Sequence, residues 1–213
     1  MAGVFHILYR LLFQEIDGFL KSSGAMGASG ALRSALASLI LLALAFPVYR
    51  WLLSDERPIS RLWSTSRKAP THGLDSPVAL GAALLTGILA GALVMGLSSF
   101  WPSSPSPLPG AGSILFIVGL TPIAEELYFR YLMQGYLMES MQRVSAPAWA
   151  VATLPLAFSV LCFAFSHHYF IAPVLLIPGL ASGLVFLRWG VLASMVTHSA
   201  YNAVLIGGAY AFS

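Results

Sequence analysis

Thr121-Pro122-Ile123-Ala124-Glu125-Glu126-Leu127-Tyr128-Phe129-Arg130 is the stretch that decides how the chain reads. It sets two carboxylates and a guanidinium inside a run that is otherwise apolar from about Ser113 to Met138. A charge at bilayer depth costs at least about 2.5–3.5 kcal/mol on insertion scales. Three charges in six residues at that depth need a reason, and function is the default one. Read as helix, Glu126 and Arg130 stand four apart and share a face, while Glu125 points about 100° away from Glu126. Glu126 is therefore expected to neutralise Arg130 and to leave Glu125 available for chemistry. The plain alternative is a structural ion pair between helices, with Glu125 merely part of it.

The composition around this stretch supports the bilayer reading. The 213 residues are 58% hydrophobic and 9% charged, with a mean hydropathy of +0.81, against about 25% charged in ordinary soluble domains. The fold class expected is all-α: a polytopic membrane bundle of about six transmembrane helices plus an N-terminal amphipathic helix. A net charge of +3 does not point to nucleic acid, because the basic residues lie mainly in one loop between spans, where topology signals belong. A single cysteine, Cys162, excludes an intramolecular disulfide and, lying in an apolar span, reads as a small core residue.

Outward from the charged stretch, the spans are expected at about 32–53, 78–101, 113–140, 149–166, 172–187 and 191–210. Residues 4–20 are apolar but interrupted by His6, Arg10, Gln14, Glu15 and Asp17, with Val4, Leu8, Leu11, Leu12 and Phe19 at roughly helical spacing. They read as a helix lying in the membrane interface, followed by a Ser/Gly/Ala linker to Gly30. No cleavable signal peptide is recognisable, so the first span is expected to serve as the insertion signal. The loop from Arg50 to Asp75 holds Arg57, Arg61, Arg67 and Lys68, and its basic excess places it in the cytoplasm. Arg143 and Arg188 fall on that same side, which sets the N-terminal segment outside, although Arg10, Lys21 and Arg33 argue against that end of the topology. Gly87-x-x-x-Gly91 is a weak signal for close helix packing, and Pro122 is expected to bend the third span just before Glu125.

Buried polar residues outside the third span are few. Phe163-x-x-x-His167 ends the fourth span, and His198-x-x-x-Asn202 lies within the sixth with both side chains on one face. His168 reads as an interfacial residue at the membrane edge. Glu125, His167, His198 and Asn202 thus come from three spans at similar depth, and together they are what hydrolysis needs. A carboxylate takes a proton from water, a histidine orients that water or passes the proton on, and a histidine with an amide donates to an oxyanion. The same Glu125, His167 and His198 are also the Glu-plus-two-His set of a catalytic zinc site, although the helical His-Glu-x-x-His spacing is absent.

Glu-Glu-Leu-Tyr-Phe-Arg at 125–130, Phe-Ala-Phe-Ser-His at 163–167 and His-Ser-Ala-Tyr-Asn at 198–202 resemble, in order, the three signature motifs of the CPBP family. These are the CAAX-protease and bacteriocin-processing, or Abi, membrane proteins, with patterns Glu-Glu-x-x-x-Arg, Phe-x-x-x-His and His-x-x-x-Asn/Asp. The resemblance covers about 112–203, while residues 1–111 carry no such motif. It implies an intramembrane endopeptidase of the glutamate type. By motif position, Glu125 would be the general base, His167 would help activate water, His198 and Asn202 would form the oxyanion site, and Glu126, Arg130 and Phe163 would support them.

The expected organisation is a 1–30 interfacial segment and linker, a 31–111 transmembrane pair with a basic loop, and a 112–213 catalytic core. The expected activity is hydrolysis of a peptide bond in a membrane-associated or exported protein or peptide, in the cytoplasmic membrane of a prokaryote. No cofactor is expected, with zinc as the alternative. The expected partners are the substrate and the lipid bilayer, and not nucleic acid. A non-catalytic scaffold or immunity protein and a proton-coupled transporter are the readings from other classes.

Overall fold

The computed structural model describes residues 2–22, 30–52, 76–100, 108–167 and 172–212. Among these the regular elements are all helical. They are α1 (Ala2–Ser22), α2 (Gly30–Leu52), α3 (Pro77–Ser98), α4 (Ala111–Arg143, continuous through several changes of register), α5 (Ala148–Ser166), α6 (Leu176–Trp189, entered through a 3₁₀ turn at Ala172–Leu175) and α7 (Val191–Ala211). Most of the basic loop at 53–75, the proline-rich segment 101–107 and His168 lie outside the described residues, so the topology argued from them does too.

Among the described residues, three helices are long and apolar enough to cross a membrane: Pro77–Ser98, Ala111–Arg143 and Ala148–Ser166. Leu36–Ala45 and Pro173–Trp189 are shorter apolar helices. Two of the other expected spans fall short for a physical reason. The fifth apolar stretch spends its first residues on a 3₁₀ turn, leaving 14 residues of α-helix. The sixth has the length, 21 residues, but Thr197, His198 and Asn202 dilute its apolarity. Polar and charged residues share the interior with the apolar core, and large apolar residues cover the outside. Glu126, Arg130, Gln134, Ser159, Ser194 and His198 are inside, while Val78, Leu85, Leu89, Leu115, Leu154 and Phe165 face outward. Apolar residues outside and polar residues inside are what a bilayer as solvent demands. The chain is an integral membrane protein.

α3 starts where Ser76 accepts a hydrogen bond from the Val78 N–H at 3.2 Å and Pro77 occupies the first helical position. It lies against α7 at a distance only glycine allows. A Cβ on Gly87 would strike the Thr197 carbonyl oxygen, and one on Gly91 would sit 2.8 Å from Val204 Cβ. Thr197 Oγ1 donates to the Ala83 carbonyl at 3.1 Å across the same seam. The weak glycine signal at 87 and 91 is thus a real packing face, and its partner is α7. α6 and α7 are joined by Gly190 alone, whose φ of 89° favours glycine. α1 extends through Ser22, two residues into the expected linker, and is tied across the bundle by Arg10 Nη1 donating to the Phe165 carbonyl at 2.9 Å.

α4 is not the simple bent helix expected from Pro122. Phe116–Leu120 and Leu127–Gln134 are π-helical, and Thr121–Glu126 between them is one and a half turns of α-helix. Pro122 removes a donor from the ladder at the first boundary, and widened turns of this kind recur at functional sites. The Glu-Glu pair sits on the short α-helical segment between the two.

Candidate active site

The helical offset separates the carboxylates as the spacing predicts. Glu126 is turned inward and fully buried, whereas the Glu125 side chain is 17% exposed. Glu126 Oε2 accepts from Arg130 Nε at 3.2 Å, one turn along the same helix. It also accepts from Ser194 Oγ on α7, and its Oε1 lies 2.9 Å from His198 Nδ1. Arg130 is equally buried. Its Nη1 donates to Ser159 Oγ on α5 at 2.7 Å, and Ser159 in turn donates to the Phe129 carbonyl at 2.7 Å. The guanidinium also lies 5.4 Å from the centre of the Phe163 ring, over its face. A buried charge with this many partners loses about 3–5 kcal/mol when one partner is removed.

Phe163 is the apolar hub of the site. Its ring meets His167 edge-on at 5.0 Å between centroids, His198 at 5.5 Å and Phe129 at 5.4 Å. Its carbonyl oxygen lies 2.9 Å from His167 Nδ1. A carbonyl only accepts, so His167 Nδ1 carries a proton and donates it there. The Glu126 carboxylate sets the same condition on His198 Nδ1. Both imidazoles therefore turn Nε2 toward Glu125. His167 Nε2 stands 3.9 Å from Glu125 Oε1, and His198 Nε2 stands 3.7 Å from Glu125 Oε2. These separations are too long for direct hydrogen bonds and suit a bridging water. Among the described residues, no three His, Cys, Asp or Glu side chains close to the spacing that holds a metal ion.

Of the residues expected from sequence, Glu125, His167 and His198 converge, with Glu126, Arg130 and Phe163 packed behind them. Asn202 is placed one turn further along α7. There its Nδ2 donates to the Ile117 carbonyl in the first π-helical stretch at 2.8 Å. Two residues that hold the site were not singled out. Ser194 precedes His198 by four and Ser159 precedes Phe163 by four, so each shares a helical face with a motif residue. That spacing is the signal that points to them, but serine is an ordinary small residue in apolar helices.

Comparison with curated proteins returned no match, and neither did comparison with solved structures. Residues 107–204 match the family described as Rce1-like, type II CAAX prenyl endopeptidase. The matched region holds the entire Glu125–His167–His198 site, and the match is consistent with the CAAX-protease (CPBP) family that the three motifs resemble.

Proposed function

We propose that the protein is an intramembrane endopeptidase that hydrolyses a peptide bond in a membrane-associated protein or peptide. One observation carries this reading: two histidine Nε2 atoms flank the two oxygens of Glu125 at 3.9 and 3.7 Å, with both imidazoles packed against Phe163. Water held there has Glu125 as its general base, and His167 orients it. As the hydroxide equivalent adds to the scissile carbonyl, charge develops on the carbonyl oxygen, and Asn202 and the imidazolium form of His198, which carries a proton on Nε2 as well as on Nδ1, donate to it. Glu125 then returns its proton to the leaving amine. Glu126 and Arg130 form a neutral buried pair that holds His198 through its Nδ1.

The family match supports CAAX-type intramembrane proteolysis, and a prenylated carboxy-terminal tail is one member of the substrate class. The reading includes a metal-independent mechanism, about six membrane spans built from α2 to α7, the 1–30, 31–111 and 112–213 organisation, and the cytoplasmic membrane of a prokaryote as the location. Zinc hydrolysis is the second reading. The observation favouring it is that each Nδ1 is bound to an oxygen while Nε2 faces a carboxylate, which is the outer-shell pattern of metal-binding histidines.

The test compares wild type and Glu125→Gln in the native host by terminal-peptide mass spectrometry of membrane and secreted proteins. A terminus lost in the variant at unchanged protein level is the expected result and names the substrate. If no terminus changes and the variant still rescues the null phenotype, the protein is a scaffold. Loss of cleavage with 1,10-phenanthroline, restored by zinc, would select the second mechanism.

A further inference from the structure

We infer that Asn202 is a positioning residue for the break in α4, as the donor to a carbonyl that the helix cannot serve. The two backbone amides that would reach Ile117 O along the helix come from Thr121 in α-register and from residue 122 in π-register. The Thr121 N–H donates to Phe116 O, five residues back. Residue 122 is proline and has no N–H. Asn202 Nδ2 reaches across from α7 and donates to Ile117 O at 2.8 Å. At bilayer depth a freed carbonyl needs such a partner, because no bulk water is there to supply one.

The consequence for the site comes from what else α7 does. Ser194, His198 and Asn202 lie on one face at successive turns. Ser194 and His198 hold Glu126, and Asn202 holds Ile117. α7 therefore grips α4 on both sides of Pro122, and Glu125 lies between the two grips. With the lower grip alone, the segment above Pro122 is free to change register, and the 3.7 and 3.9 Å separations at Glu125 are no longer set. The bond to Ile117 uses one Asn202 amide hydrogen and leaves the second for the oxyanion. This part rests on the protease reading; the grip itself does not.

A double-mutant cycle of Asn202→Leu and Pro122→Ala, on the full-length protein in nanodiscs, tests the inference. Alanine restores an N–H at 122, so the helix can serve the carbonyl itself. Asn202→Leu is expected to lower the melting midpoint by on the order of 5 °C with Pro122 present, and by much less with alanine there. In a cleavage assay, Asn202→Leu is expected to lower kcat with KM little changed, and Pro122→Ala to recover part of that loss. A residue acting only as an oxyanion donor would show no recovery. If Asn202→Leu does not fold, folding of the double variant supports the inference, and its failure to fold overturns it. Additive melting shifts also overturn it. Coupled melting shifts with no cleavage by wild type would leave the grip standing and remove the protease reading.

Discussion

α7 has two working faces, and they are built from opposite materials. Toward α3 it offers backbone and small side chains, with Thr197 and Ala200 against Gly87, and Tyr201 and Val204 against Gly91. Toward α4 it offers Ser194, His198 and Asn202, each bonded to a particular oxygen. The first face works by close approach, which suits a bilayer where apolar burial between helices has little advantage over lipid. The second works by satisfying charge and lone pairs, and it is where the proposed chemistry sits. A seam built by shape is sensitive to volume, and one built by hydrogen bonds is sensitive to the loss of a single partner.

Substitutions can separate the two. The largest effect is expected at Glu125, which lies in the polar seam but holds nothing up. Glu125→Gln should reduce peptide cleavage by on the order of 10²–10⁴-fold and leave the melting midpoint nearly unchanged. A variant that melts early would return Glu125 to the structural pair. Arg130→Met should show the reverse order of causes. It strands a buried Glu126 and should destabilise by about 3–5 kcal/mol, read from the melting midpoint or from reversible unfolding. A loss under about 1 kcal/mol would mean that the pair is not dry. On the other face, Gly87→Leu should cost about 1–3 kcal/mol by forcing α3 away from the Thr197 carbonyl, while Gly81→Leu, where a side chain meets open space, should cost little. Equal effects at 81 and 87 would break the assignment of the α3 seam. The smallest effect is expected outside both faces. Ser76→Ala removes the N-cap of α3 and should cost about 1 kcal/mol without altering cleavage.

Much of the site was legible in the chain. The offset of Glu125 from Glu126 and the pairing of Glu126 with Arg130 follow from helical geometry, and the structure reproduces both. Gly87 and Gly91 were visible as a spacing, but their partner was not, because helix-to-helix contact joins residues more than a hundred positions apart. The bend at Pro122 was expected as a kink. The π-helical stretches on either side were not, since they depend on which carbonyls find donors from α5 and α7. Hydropathy read about six spans, and the described residues give three helices of crossing length; hydropathy does not register the 3₁₀ entry to α6.

By itself the sequence determined that the chain lives in a bilayer, that its charges gather at 125–130, and that histidines and an amide lie at similar depth on other helices. Composition and a fixed rise per residue are enough for that. Only the tertiary structure decided which nitrogen of each histidine faces Glu125, because the answer depends on the Phe163 carbonyl and the Glu126 carboxylate that bind the other nitrogen. It also decided that Ser159 and Ser194 hold the ion pair and that Asn202 reaches Ile117. Hydrogen bonds are directional and short, so they are specified by where helices cross rather than by what each helix contains.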